Sequence, residues 1–83
     1  MSDTEIIYNF INVAVPNDHP AVYQYVIGKK RSKETVVNNI VKIADGILTP
    51  PYSAGHIRTV AKRFLKEKEE QYIKGEITVN PIY

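Results

Sequence analysis

The side chains best suited to chemistry in this sequence are cations, and they cluster between residues 29 and 66. Arg58, Lys62 and Lys66 recur at i, i+4 and i+8, the spacing of a stripe along one side of a helix, and Arg63 borders them. A second cluster, Lys29, Lys30, Arg31 and Lys33, stands ahead of the preceding helical segment. If the two groups meet in space they can follow a phosphate backbone, and binding would then fall steeply with salt. Ser53-Ala54-Gly55-His56 opens the same stretch as a helix start, where free backbone N–H groups favour an anion. Ser53, His56 and Thr59 are the polar side chains that would meet base edges if this helix entered a groove. The partner this pattern implies is nucleic acid, double-stranded DNA in the first place. An acidic protein is the other partner such a face would suit.

Other chemistries find little support. His19 and His56 are the only imidazoles and there is no cysteine, so no metal-ligand spacing exists and no metal site is expected. Ser53, His56 and Asp45 can be drawn as a triad, but a chain this short offers little scaffold to hold nucleophile, base and oxyanion hole together. Glu67, Glu69 and Glu70 are interleaved with lysine and read as a solvated helix face rather than paired acid–base carboxylates. Gly28, Gly46, Gly55 and Gly75 are isolated, so no phosphate-cradling loop is present. The expectation is a non-enzymatic protein with no catalytic residue and no cofactor.

Tyrosine supports a different class of function. Six tyrosines and no tryptophan give amphipathic rings suited to protein interfaces. Tyr23 and Tyr25 diverge if their segment is helical, so one is expected to face outward. Tyr72 and Ile73, followed by Ile77, Val79 and Tyr83 in an alternating tail, could add an edge to a partner sheet or build a homodimer. Asn80-Pro81-Ile82-Tyr83 matches an NPxY pattern, but four residues carry no weight about sorting.

These residues must be positioned by a single small core, because 83 residues can close no more than one. The chain is 43% apolar and 24% charged, a globular composition. No apolar run is long enough to cross a membrane, and the acidic start Met1-Ser2-Asp3-Thr4-Glu5 is unlike a secretory signal, so a cytoplasmic location is expected. The net charge of +2 hides an uneven layout. Residues 1–28 hold Asp3, Glu5 and Asp18 with no Lys or Arg, the middle is strongly basic, and the segment from Glu67 onward turns acidic again.

Four segments read as ordered. Ser2 and Glu5 have capping-box spacing, and Ile7, Phe10, Ile11 and Ala14 then fall on one helical face, giving a helix over 4–14. Residues 21–27 suit either a helix, capped by Asp18 and ended by Gly28, or a strand, with the caps favouring the helix. Ser32 as cap and Val36, Val37, Ile40, Val41 and Ala44 as stripe predict a helix over 33–45, ended by Gly46 in the left-handed conformation with Ile47 folding back. Ser53 caps a last helix to Lys74 with Gly75 as terminator, and Ile57, Val60, Ala61, Phe64 and Leu65 are its inner face. Its Lys66–Gln71 stretch should project into solvent, with a Glu70–Lys74 pair on its surface.

The resulting expectation is an all-α bundle of three or four helices over residues 1–75, with an extended tail over 76–83 that could form a short strand. Residues 33–45 and 53 onward resemble the two helices of a helix-turn-helix, although their link is longer than the usual turn. Two functions follow. The first is a small regulator binding DNA through the basic face. The second is an inhibitor or adaptor of the phage- or plasmid-encoded kind, acting on a protein through the tyrosines and the tail. A minor virion component is a more distant third.

Overall fold

The computed structural model describes residues 2–17, 19–28, 33–48 and 52–79. They form a small all-α bundle: α1 (Asp3–Ala14), α2 (Pro20–Tyr23) running on into a π-helical turn (Gln24–Gly28), α3 (Lys33–Ile47) and α4 (Ala54–Ile73). α4 is the central element and packs against α1, α3 and the π turn. Its inner face is the one its spacing implies: Ile57, Val60, Ala61, Phe64 and Leu65 are all buried. Opposite them lie Ile7 and Ile11 of α1 and Val36, Val37, Ile40, Val41 and Ala44 of α3. Phe10 is half-buried against this core rather than within it.

The helix ends follow local chemistry. Ser2 Oγ accepts from the Glu5 N–H at 3.2 Å and starts α1. Gly75, at φ +77°, ends α4, with its own N–H bonded to the Tyr72 carbonyl and the Glu76 N–H bonded to the Gln71 carbonyl. This is the paired closure that a left-handed residue after a helix allows. α3 ends otherwise than its glycine suggests. The helix runs through Gly46 to Ile47, which is exposed, and Leu48 rather than Ile47 turns back to pack on the core. The Leu48 N–H bonds to the Ala44 carbonyl at 2.7 Å, so an ordinary helical bond continues past the glycine. Ser32, the expected cap of α3, lies outside the described residues, as do Asp18, Thr49, Pro50, Pro51 and residues 80–83.

The segment after α1 is helical, not a strand. His19 is its cap: the ring Nδ1 accepts from the Ala21 N–H at 3.0 Å, and Pro20 occupies the first turn, where its missing N–H is no loss. Val22 and Val26 are both buried, four residues apart. Tyr23 and Tyr25 are both half-buried and packed on the core, against the expectation that one would face outward. The reason is that α2 and the π turn have protein on more than one side, touching both α3 and α4. The Lys33 ammonium also lies 5.0 Å over the Tyr25 ring.

Two expectations about the chain's acidic end change. α4 does not project freely beyond Lys66: Glu67, Lys68, Glu69 and Gln71 are half-buried. Lys68 lies 5.3 Å over the Phe64 ring, and Glu67 is bonded to α1. Glu70 and Lys74 form no ion pair among the described residues; Lys74 instead caps α4 through its backbone N–H to the Glu70 carbonyl. The tail has no strand in its described part, 76–79, yet it is not loose. Val79 is 4% exposed and belongs to the core, and Ile77 packs against it. Val79 is therefore part of the apolar core of the described chain. Val79→Ala should cost about 1–3 kcal/mol from lost methyl burial and the space left behind, read as a shift in the urea midpoint at constant slope. A tail that served only as a partner's edge would leave that midpoint unchanged.

Candidate nucleic-acid interface

α4 presents a basic side because its apolar side is committed inward. From Ala54 to Lys66 the helix contains no acidic residue, and the first carboxylate is Glu67. Gly55, Thr59, Lys62, Arg63 and Lys66 are all exposed and fall on the face opposite Ile57, Phe64 and the rest of the buried set. Nothing stands within contact distance of the position a Gly55 side chain would take. The Thr59 hydroxyl donates to the Gly55 carbonyl one turn back at 3.0 Å.

The start of α4 is fixed by side chains. Ser53 Oγ accepts from the His56 N–H at 3.1 Å, as its position before the helix implies. The His56 ring is half-buried between two neighbours: Nε2 is 3.1 Å from Thr4 Oγ1 of α1, and Tyr52 meets the ring edge-on at a centroid distance of 6.4 Å. His56 thus ties the head of α4 to α1. Ser53→Ala should cost about 1 kcal/mol of stability through the lost cap.

Arg58 and Lys62 line the seam with α3. Arg58 Nη1 donates to Glu34 Oε1 at 3.1 Å and to Asn38 Oδ1 at 2.5 Å. Lys62 Nζ stands 3.9 Å from the other oxygen of the same carboxylate. Glu34 in the first turn of α3 therefore holds a pair of cations from two successive turns of α4. The same contacts show that α3 runs antiparallel to α4, with its first turn, beginning at Lys33, beside Arg58 and Lys62. Lys29, Lys30 and Arg31, the rest of the first basic cluster, lie outside the described residues.

Arg63 faces the other neighbour. Its Nε donates to Glu67 Oε1 at 3.0 Å, while Tyr8 of α1 donates its hydroxyl to Glu67 Oε2 at 2.5 Å. Tyr8 also meets Phe64 edge-on. Tyr8, Arg63 and Glu67, with Thr4, Glu5 and Asn9, border an open cleft of about 260 Å³ between α1 and α4. Lys66 stands exposed with no ion pair among the described residues. Neither Glu34 nor Glu67 was legible as a site residue from sequence, since each gains its role only when helices distant in sequence meet. Among the described residues no cluster of three metal-ligating side chains exists.

Of the residues expected at a protein interface, Tyr72 and Ile73 are exposed on the last turn of α4. Tyr23, Tyr25, Ile77 and Val79 are wholly or partly buried, and Tyr83 lies outside the described residues. No helix is long and apolar enough to cross a membrane among the described residues.

Comparison with protein-family models, curated proteins and solved structures returns no match for this chain.

The Tyr8–Glu67 contact makes a prediction about pH. Burial, the hydrogen bond to Glu67 and that carboxylate's charge push the Tyr8 hydroxyl up to about 12, with Arg63 pulling weakly the other way. Glu67 is held below its ordinary value, first by the Tyr8 hydroxyl and then by Arg63 and Lys68, against partial desolvation. Because the folded value of Tyr8 is raised, its contribution to stability is fully present below about pH 10 and is lost as pH climbs toward 12. The Glu67 contribution has the opposite sense: present above the ordinary carboxyl range, lost as pH falls below it. Tyr8→Phe should flatten the alkaline limb of a denaturation-midpoint profile.

Proposed function

We propose that this chain is a small non-enzymatic regulatory protein that binds nucleic acid, double-stranded DNA first, through the exposed side of α4. The observation that carries this reading is the run Ala54–Lys66, free of acids, with Thr59, Lys62, Arg63 and Lys66 exposed opposite the buried stripe. Four cations on one helix side, counting Arg58 at its edge, supply the charge that phosphate binding requires. The helix has 20 residues, so it is about 30 Å long, ample for a major groove about 12 Å wide. Lys62, Arg63 and Lys66 are the phosphate contacts in this reading, and Thr59 with the open position at Gly55 is the part able to approach bases. Ser53 and His56 act as supports for the head of the helix.

A compact helix-turn-helix is not required. The link between α3 and α4 runs from 48 to 53, longer than the usual three- or four-residue turn. The reading needs only a braced helix with a basic outer side, and α3 provides the brace.

Exposed Tyr72 and Ile73, the latter 75% accessible, favour the second reading, an inhibitor or adaptor that docks on another protein by the end of α4. A phage- or plasmid-encoded accessory role belongs with either.

A fluorescence-anisotropy titration of a mixed-sequence DNA duplex distinguishes them. At about 50 mM salt the dissociation constant should be micromolar or better, and it should weaken by at least tenfold at about 200 mM. Lys62→Ala with Lys66→Ala should weaken binding alike on all sequences and lower the salt slope by about two, with the helical signal unchanged. Absence of binding at the lower salt overturns the nucleic-acid reading and leaves the protein-docking one.

A further inference from the structure

The Glu34 carboxylate occupies a site built from cations. Its two oxygens lie 3.1 Å from Arg58 Nη1 and 3.9 Å from Lys62 Nζ. Arg58 and Lys62 are one turn apart on α4, so a single anion can engage both. That anion is supplied by the protein itself, from α3. All three side chains retain substantial access to water: 61% for Glu34, 55% for Lys62 and 35% for Arg58. Ion pairs of this exposure are weak, so the carboxylate is readily exchanged for another anion.

Arg58 has a second anchor that does not compete. The same Nη1 donates to Asn38 Oδ1, a neutral acceptor one turn further along α3. If the Glu34 carboxylate swings away, Asn38 still holds the guanidinium at the seam. The two acceptors thus differ in kind: Glu34 neutralises the cations, and Asn38 orients one of them.

We propose that Glu34 is an internal competitor for a phosphate group, occupying the Arg58–Lys62 pair until a nucleic-acid phosphate displaces it, and that Asn38 keeps Arg58 in position for the exchange. This rests on the nucleic-acid reading above and adds a control to the same face. A phosphodiester engaging the pair must release Glu34 into solvent, which lowers affinity below what the cations alone would give. The device also favours closely spaced phosphates over isolated weak anions, because only a polyanion engages Lys62, Arg63 and Lys66 at the same time. Glu34 and Asn38 are positioning residues in this scheme; neither has to touch the ligand.

The test is the same duplex titration on four forms of the full chain: parent, Glu34→Gln, Asn38→Ala and Glu76→Gln. Glu76 is exposed beyond the end of α4, so its neutralisation matches the change in net charge without touching the pair. Glu34→Gln should bind on the order of three- to tenfold more tightly than the parent, from two weak pairs removed. Its salt slope should match the parent's, since the same cations neutralise the same phosphates once Glu34 has been displaced. Asn38→Ala should bind more weakly than the parent, and Glu76→Gln should gain less than Glu34→Gln with no change of slope. Equal gains for Glu34→Gln and Glu76→Gln, or none for Glu34→Gln while the parent binds, overturn the competitor role and leave the nucleic-acid reading standing. Failure of both parent and Glu34→Gln to bind at low salt overturns the two together. Tight binding by Glu34→Gln with none by the parent supports the proposal in its strongest form.

Discussion

Everything in this small protein depends on the commitment of one side of α4 to the core. Ile57, Val60, Ala61, Phe64 and Leu65 meet α1, α3 and the π turn together, so one helix organises three neighbours. Burying these five side chains against the apolar faces of their neighbours is the main favourable term available to a chain too short for a second core. The outward face is then settled by elimination. The helix cannot rotate without exposing Phe64 or burying Lys62, and either change is costly.

Polar contacts then set the neighbours' positions along α4. Thr4 and Tyr8 of α1 reach His56 and Glu67 in order, so α1 runs parallel to α4; Glu34 and Asn38 reach Arg58 from an antiparallel α3. Both sets of contacts sit at the margins of the buried stripe, where side chains meet water and a neighbouring helix at once. The basic face is consequently graded. Arg58 and Lys62 are engaged by α3, Arg63 by Glu67 on its own helix, and Lys66 by no carboxylate among the described residues. A ligand would meet its least opposed cation at Lys66 and would have to exchange partners as it moved toward Arg58.

The periodic parts of this arrangement were legible in the sequence, and the parts that arise from helices meeting were not. Capping by Ser2 and Ser53 and closure at Gly75 are local, each decided within about one helical turn, and all three are as the residues imply. The inner stripes of α3 and α4 follow from 3.6-residue spacing alone. Gly46 misled because a glycine tolerates helical geometry as well as the left-handed one, and Leu48 rather than Ile47 had a core to reach. His19 caps α2 because an imidazole nitrogen can accept a hydrogen bond as a carboxylate does; Asp18, the cap the sequence suggests, lies outside the described residues. Tyr25 and Val79 have no periodicity to betray them; a π turn and an irregular tail bury side chains through tertiary contact only. The charge stripe was readable as a list of cations, but its restraint by Glu34 required two helices whose crossing the sequence does not encode locally.

Whether the outer side of α4 is the surface that binds, as proposed, is read by a backbone-amide NMR titration with a short DNA duplex at low salt, following every residue at once. The largest shifts should fall on Thr59, Lys62, Arg63 and Lys66, with a second group at Glu34 and Asn38, while the buried stripe moves little. Shifts confined to Tyr72, Ile73 and their neighbours, or none anywhere, would contradict the proposal.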